Sequence, residues 1–339
     1  MPTPAPYPLS FAPMLLSKVW GGDNLSRVGK QVAAGSTIGE SWEIADLATT
    51  SASGAGGGSA QSTINAGALA GKTLHDAMLS WGKDMLGEAS GAGPGNAHFP
   101  LLIKYLDARE NLSVQVHPSM AYARAHANAF IKTECWYILD AKPGSVIYKG
   151  VKPGVTRESF EAALRSGNGE GVVKLLEAVP AVKGECHNLP SGTVHALGAG
   201  VLVAEVQTPS DTTFRVYDWE RTGRELHIEQ SLACIMWEQA RDVTKLASDG
   251  SLTRLVTTGY FDVDEARVQQ GSSWKCDEKL ARSAPIVLMM LAGKGSLRVQ
   301  GRDAIAVSAG STLLLPACLA NSCTLHADAS MTVLRAMPR

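Results

Sequence analysis

Four side chains in three separated stretches have the types and placement for metal chemistry. Ser113-Val114-Gln115-Val116-His117-Pro118 carries an amide and an imidazole two residues apart. Residues i and i+2 of a β-strand point to the same face, so Gln115 and His117 present their donors to one point. Lys132-Thr133-Glu134 adds a carboxylate, and Pro190-Ser191-Gly192-Thr193-Val194-His195 adds a second imidazole. Each lies beside or within a strand-like run. A mixed N/O donor set of this kind suits Zn²⁺ with one position left open for water or substrate; iron, cobalt and manganese accept similar donors. Taken singly, a strand Gln reads as a surface residue and a His near an apolar run as a satisfied core residue. Their order and spacing point to metal instead.

The elements that must position these groups are short strands. Pro100 to Leu106, Leu112 to Val116, Glu134 to Leu139 and Ser145 to Tyr148 are short apolar runs between polar punctuation. Strands return at Cys186 to Leu189, Thr193 to Leu197, Gly200 to Gln207 and Thr213 to Tyr217. The tail adds Arg254 to Thr257, Ile286 to Leu291, Ser296 to Val299, Thr312 to Leu315 and Met331 to Arg335. Many short strands at turn-separated spacing predict a mainly β protein of the sandwich or barrel class. Helical spacing is confined to Thr73 to Leu86, to two short helices expected over Thr156 to Val179, and to His227 to Glu238. Gly/Ala/Ser-rich Ser51 to Ala60 and Gly87 to Gly95 read as surface loops.

Composition narrows the function classes. The chain has 339 residues, enough for two domains. Lys plus Arg number 31 against 32 Asp plus Glu, a net charge of -1. That balance argues against nucleic acid or an acidic membrane as partner, while a small phosphorylated molecule needs only a local basic pocket. The six cysteines form no C-x-x-C pair and read as reduced thiols, which suits the cytoplasm. Met1 to Pro13 has no charged or apolar leader character, and there is no 18-residue apolar run, so no secretory leader or membrane span is expected. Gly67 to Thr73 imitates a phosphate loop, but three residues rather than four separate Gly67 from Gly71. It reads as a tight turn entering a helix at Thr73.

The Pro-x-Gly-x-x-His spacing of Pro190 to His195 matches the second half of the cupin pattern, and Gln115, His117 and Glu134 fill the first half. The likeness extends further. Leu112 to Pro118, Lys132 to Tyr137, His195 to Gly200, Ala204 to Gln207 and Ser210 to Trp219, in this order, resemble the type I mannose-6-phosphate isomerase family. Lys18-Val19-Trp20-Gly21-Gly22 and Gly39-Glu40-Ser41-Trp42-Glu43-Ile44 resemble its short bacterial form. The resemblance runs from about Leu16 to Trp237 and fades in the last hundred residues. There Leu291 to Gly295 and Ala309 to Pro316 still look cupin-like, without a ligand set.

The resemblance implies two cupin-like jelly-roll β domains: a catalytic one over 1–240, with a helical insert at about 156–180, and a C-terminal one over 241–339 without metal ligands. It implies one Zn²⁺ per chain, held by Gln115, His117, Glu134 and His195. It implies interconversion of mannose 6-phosphate and fructose 6-phosphate by proton transfer through an enediol, in a cytoplasmic monomer or homodimer. Arg215 matches the family's catalytic arginine, Glu205 an active-site carboxylate, and Lys132 a lysine two residues before the Glu ligand. On a strand Lys132 would share a face with Glu134, and a lysine beside a cation loses its proton more easily. Lys132, Glu205 and a zinc-bound hydroxide are all candidates for the base at C2. Ser113 lies at the family's phosphate side. Lys104, costly to bury unless paired with an anion, reads as a second phosphate contact. Trp20, Glu40 and Trp42 are expected to line or brace the sugar cleft.

One departure follows Ile44, where Ala45-Asp46-Leu47 leads into the Gly-rich insertion in place of the family's usual His. His75, His98, His126, His187, His227 and His326 read as structural. Two other functions use the same residues: a cupin isomerase for another phosphosugar such as glucose 6-phosphate, and a non-catalytic sugar-phosphate-binding regulator.

Overall fold

The computed structural model describes residues 3–51, 57–89, 98–167, 169–237, 243–244 and 251–339. Most of the expected Gly87 to Gly95 loop, the middle of the Ser51 to Ala60 loop, Glu238 and the expected domain boundary at 240 lie outside them. The strands that build the site are β1 (Leu9–Ser10), β2 (Met14–Gly22), β3 (Ile38–Ile44), β4 (Asp46–Leu47), β5 (Ala60–Gln61), β6 (Leu102–Ala108) and β7 (Val114–Val116). They continue with β8 (Glu134–Ala141), β9 (Val146–Val151), β10 (Leu176–Pro180), β11 (Cys186–Leu189), β12 (His195–Leu197), β13 (Val201–Gln207) and β14 (Phe214–Tyr217).

The fold is mainly β and antiparallel. A seven-stranded sheet runs β11-β8-β13-β6-β2-β3, with Val243–Thr244 outside β11. A five-stranded sheet runs β10-β9-β12-β7-β14. A third sheet is built from Leu252–Thr257, Phe261–Val268, Ile286–Val299, Thr312–Leu315 and Cys323–Pro338, with the N-terminal β1 completing its edge. In that edge pairing Leu9 lies opposite Leu314 and Ser10 opposite Leu313.

Strand alternation explains where the core sits. On β6, Ile103 and Tyr105 point away from Lys104; on β8, Cys135 and Tyr137 point away from Trp136; on β13, Ala204 and Val206 point away from Glu205. All six outward residues are buried against Phe261, Val263, Val287, Met289, Leu314, Leu334 and Ala336 of the third sheet. The last hundred residues therefore back the seven-stranded sheet, whose other face is free to carry polar groups. Polar pins cross the same interface. Lys30 Nζ donates to Glu43 Oε2 at 2.6 Å and to Gly310 O at 2.7 Å, and Thr312 Oγ1 donates to Glu43 Oε2 at 3.0 Å.

Helices are short. Thr73 caps Leu74–Trp81 through a reciprocal pair with Asp76, so the turn before it is a helix entry, as expected. That helix stops at Gly82, whose φ of +46° is open to glycine, and Leu79 points to solvent rather than joining the buried stripe. The expected helical insert is real over Arg157–Arg165 and Gly169–Lys174, but it ends there. Leu176–Pro180 is strand β10 instead, an edge strand on β9 where Pro180 lacks only a solvent-facing donor. Among the described residues, no helix is long and apolar enough to cross a membrane.

Candidate active site

Register alone sets two rows of functional side chains facing each other, because residues opposite across antiparallel strands share a face. In the five-stranded sheet Arg215 lies opposite Gln115, Gln115 opposite His195, and His195 opposite Lys149. In the seven-stranded sheet Trp136 lies opposite Glu205, Glu205 opposite Lys104, and Lys104 opposite Trp42. Glu134 lies two residues from Trp136 on β8 and so shares its face. Between the sheets opens a cleft of about 470 Å³.

Gln115, His117, Glu134 and His195 gather at one point. His195 Nε2 is 3.2 Å from Glu134 Oε1, His117 Nε2 is 3.5 Å from Glu134 Oε2, and the Gln115 amide is 3.2 Å from His195 Nε2. The two rings stand 4.9 Å apart and Glu134 is fully buried. Each ring is fixed from behind: Nδ1 of His117 meets Thr212 O at 3.0 Å, and Nδ1 of His195 meets Thr193 O at 2.8 Å. Donation there fixes the tautomer and leaves both Nε2 lone pairs aimed inward, as a metal-binding histidine requires. His117 Nε2 and both Glu134 oxygens are buried without a well-formed hydrogen bond. Buried polar atoms are rarely left so, and a divalent ion would satisfy them together. Burial, helped by the Lys132 charge, pushes the His117 pKa down to about 3, so the ring is neutral and free to ligate. Burial would raise Glu134, but Lys132 and the imidazoles outweigh it and hold the carboxyl well below its usual range. The donor set fits Zn²⁺.

Lys132 Nζ sits 2.8 Å from Glu134 Oε2. It lies just before β8 rather than on it. Burial opposes its charge, yet Glu134, Glu205 and Glu40 together raise its pKa. The three carboxylates thus favour the charged lysine and work against the easier proton loss that a neighbouring cation would bring.

Glu205 accepts from Trp136 Nε1 at 2.8 Å and faces Lys104 Nζ at 3.3 Å. Lys104 also stands 3.7 Å from Glu40 Oε2 and 4.7 Å from the centre of the Trp42 ring. The anions that allow Lys104 to be buried are therefore the Glu205 and Glu40 carboxylates, in place of the phosphate expected from sequence. Burial would raise Glu40, but Lys104, Lys18 and the Trp42 indole hold it down at about 2. Lys18 Nζ is 3.3 Å from Glu40 Oε1, and Trp42 Nε1 donates to Glu40 Oε2 at 2.6 Å.

Ser113, Trp20, Glu40, Trp42 and Arg215 all line the cleft. Arg215 is buried, and its Nη1 donates to Glu225 O at 2.7 Å. Its backbone N–H donates to His227 Nδ1 at 3.1 Å, so His227 braces Arg215 and stays away from the ligand cluster. Sequence reasoning missed Lys18, Arg224 and Asp211 in the lining. Arg224 lies three residues before His227. The loop after Ile44 does reach the cleft wall, through the Ser51 N–H donating to Asp211 Oδ2 at 2.6 Å.

The family profile described as "Phosphomannose isomerase type I, catalytic domain" matches residues 10–149. A mannose-6-phosphate isomerase of Streptococcus mutans is 34% identical over 318 residues, covering 91% of this chain and 92% of that protein. The crystal structure of mannose 6-phosphate isomerase from Bacillus subtilis superposes with a TM-score of 0.79 at 28% identity, over 97% of this chain and 99% of that one. A zinc-bound mannose 6-phosphate isomerase structure superposes with a TM-score of 0.71, over 98% of this chain and 99% of that one. At 17% identity it speaks for the fold alone.

Proposed function

The chain belongs to the type I phosphomannose isomerase family, and we propose that it interconverts mannose 6-phosphate and fructose 6-phosphate with one Zn²⁺ held by Gln115, His117, Glu134 and His195. The observation that carries this reading is the convergence of two oriented imidazoles and a carboxylate, with buried polar atoms left unsatisfied, next to Gln115 and Lys132, which line the cleft together with Arg215 and Glu205. The Gln115 amide joins them once its terminal oxygen, rather than its nitrogen, is turned inward.

The reaction moves a proton from C2 to C1 of the open-chain sugar while the carbonyl migrates from C1 to C2. Negative charge builds on the two sugar oxygens as the C2 proton leaves. When bound, the zinc supplies a Lewis acid for those oxygens. Arg215 supplies a permanent positive charge from the neighbouring strand, preorganised by Glu225 O and His227. Lys132, held protonated, donates a hydrogen bond or a proton to a sugar oxygen, and Glu205 is the cleft carboxylate assigned to the carbon-bound proton. Trp136 and Lys104 hold Glu205 in place. Ser113 and Arg224, both in the cleft lining, take the phosphate, with Arg224 held in place by Asp218 at 3.1 Å. Remote phosphate binding then fixes C1 and C2 against the catalytic groups. Trp20 and Trp42 form apolar walls.

Purified protein tested on mannose 6-phosphate and glucose 6-phosphate, with metal analysis of His195→Ala, decides the reading. Mannose 6-phosphate turnover that chelation abolishes, and a variant that loses metal and rate together, are expected. Full activity after exhaustive chelation, or turnover of glucose 6-phosphate alone, would overturn it.

A further inference from the structure

A second cluster repeats the geometry of the first at a separate place in the fold. Asp46 on β4, His75 at the start of helix Leu74–Trp81, and His98 ahead of β6 come from segments far apart in sequence. Asp46 Oδ2 is 3.2 Å from His75 Nδ1 and 3.4 Å from His98 Nδ1. The two rings stand 5.2 Å apart and only 32° from parallel. Two bonds of about 2.0–2.1 Å at the tetrahedral angle put their donor atoms about 3.3 Å apart. The separations at Asp46 bracket that value, and they match the 3.2 and 3.5 Å spacings at Glu134.

The acid is braced as a ligand would be. Asp46 is fully buried; Gln61 Nε2 donates to its Oδ1 at 3.1 Å, and the Phe99 backbone N–H donates to its Oδ2 at 3.0 Å. That leaves one oxygen facing an amide and two imidazoles. His98 Nδ1 is the odd one out: it is buried and has no hydrogen-bond partner. A cation seated among the three would satisfy it, while the side chains of His75 and His98, 29% and 34% exposed, leave a way in from solvent.

We propose that Asp46, His75 and His98 form a second divalent-metal site, for Zn²⁺ or an ion of similar borderline softness, with water completing the coordination. Among the described residues no further acid, cysteine or histidine is grouped with it, and its role is to tie the β4–β5 hairpin, the helix entry and the lead-in to β6 together. The site stands independently of the isomerase reading, because it shares no residue with the cluster of His117, Glu134 and His195.

The experiment is zinc stoichiometry after equilibration with Zn²⁺ and removal of free ion. Wild-type protein is expected to hold two zinc ions per chain and His75→Ala/His98→Ala one, with isomerase activity kept within about twofold. A double variant that holds as much zinc as the wild type overturns the proposal. Should that variant fail to fold, Glu134→Ala/His195→Ala decides instead. One retained zinc, with a Co²⁺-substituted spectrum of two nitrogens and a carboxylate, supports the site; no retained metal refutes it.

Discussion

Replacing Lys104 with Met tests whether the charge network of the cleft is read correctly. The substitution keeps length and removes charge. Lys104 is 6% exposed at its side chain and sits 3.3 Å from Glu205 and 3.7 Å from Glu40. At an effective dielectric near 20, unit charges about 3.3 Å apart attract by roughly 5 kcal/mol before desolvation is counted. Removing one partner of a buried pair typically destabilises by about 3–5 kcal/mol, because the other charge stays buried. Glu40 keeps Lys18 and the Trp42 indole, so most of the loss falls on Glu205, which retains the Trp136 donor. Urea unfolding of Lys104→Met should therefore show a loss of about 3–5 kcal/mol. Lys104→Met/Glu205→Gln should lose far less than the sum of its single variants, since the double change removes both charges. A single variant as stable as the wild type, impaired only by a raised KM for the phosphosugar, would refute this reasoning and return Lys104 to the phosphate.

Arg215→Ala is expected to lower kcat by roughly 10²–10³-fold, the scale of one lost charge-stabilising donor, with zinc content unchanged; kcat left intact with only KM raised would sink the assignment. Metal-free protein should lose stability as the pH falls below 6.5. His117 has its folded pKa depressed to about 3 from 6.5, so the unfolded chain binds the extra proton and the stabilisation, full above pH 6.5, drains away toward pH 3. Between pH 7 and 4 this amounts to something on the order of 3 kcal/mol, and the lowered Glu40 adds a further loss between pH 4.5 and about 2; a urea midpoint flat from pH 6.5 to 4 would contradict the first, and one flat from pH 4 to 2 the second. Gly198→Ala would drive a methyl to within 2.0 Å of Val146 O, forcing apart β12 and β9, which pair through His195 and Lys149. A loss of about 1–3 kcal/mol and weaker zinc retention are expected, and a wild-type urea midpoint would show that the strands give way freely.

The candidate cluster of Gln115, His117, Glu134 and His195 was legible because its residues sit in motifs. Gln115 and His117 are set by strand alternation, Glu134 by its place in Lys132 to Tyr137, and His195 by the glycine turn before it. Lys104 was misread because its partners are fixed by register: Glu40 and Glu205 lie on β3 and β13, and nothing local to Lys104 announces them. The second cluster was invisible for the same reason. Asp46, His75 and His98 obey no spacing rule, and the fold alone assembles them. Phe261–Val268 escaped notice because charged residues at buried positions mask its alternation. Asp264 is buried against Arg335, whose Nη2 lies 2.6 Å away, and Asp262 against Arg339 at 3.0 Å. Leu176–Pro180 was taken into the helical insert because an apolar residue at every second or third place fits either period over so short a run.

Pairing Leu9 with Leu314 makes the order of synthesis matter. The two partners lie 305 positions apart, so at about 5–20 residues per second β1 waits roughly 15–60 s for its neighbour to leave the ribosome. The seven-stranded sheet meets the same delay, since the apolar face that the third sheet will cover is finished about a hundred residues earlier. A nascent chain of this protein thus carries a half-clothed sheet through about the last third of its translation. Its yield in a cell should depend on helper proteins that shield that face, even though the finished molecule needs none.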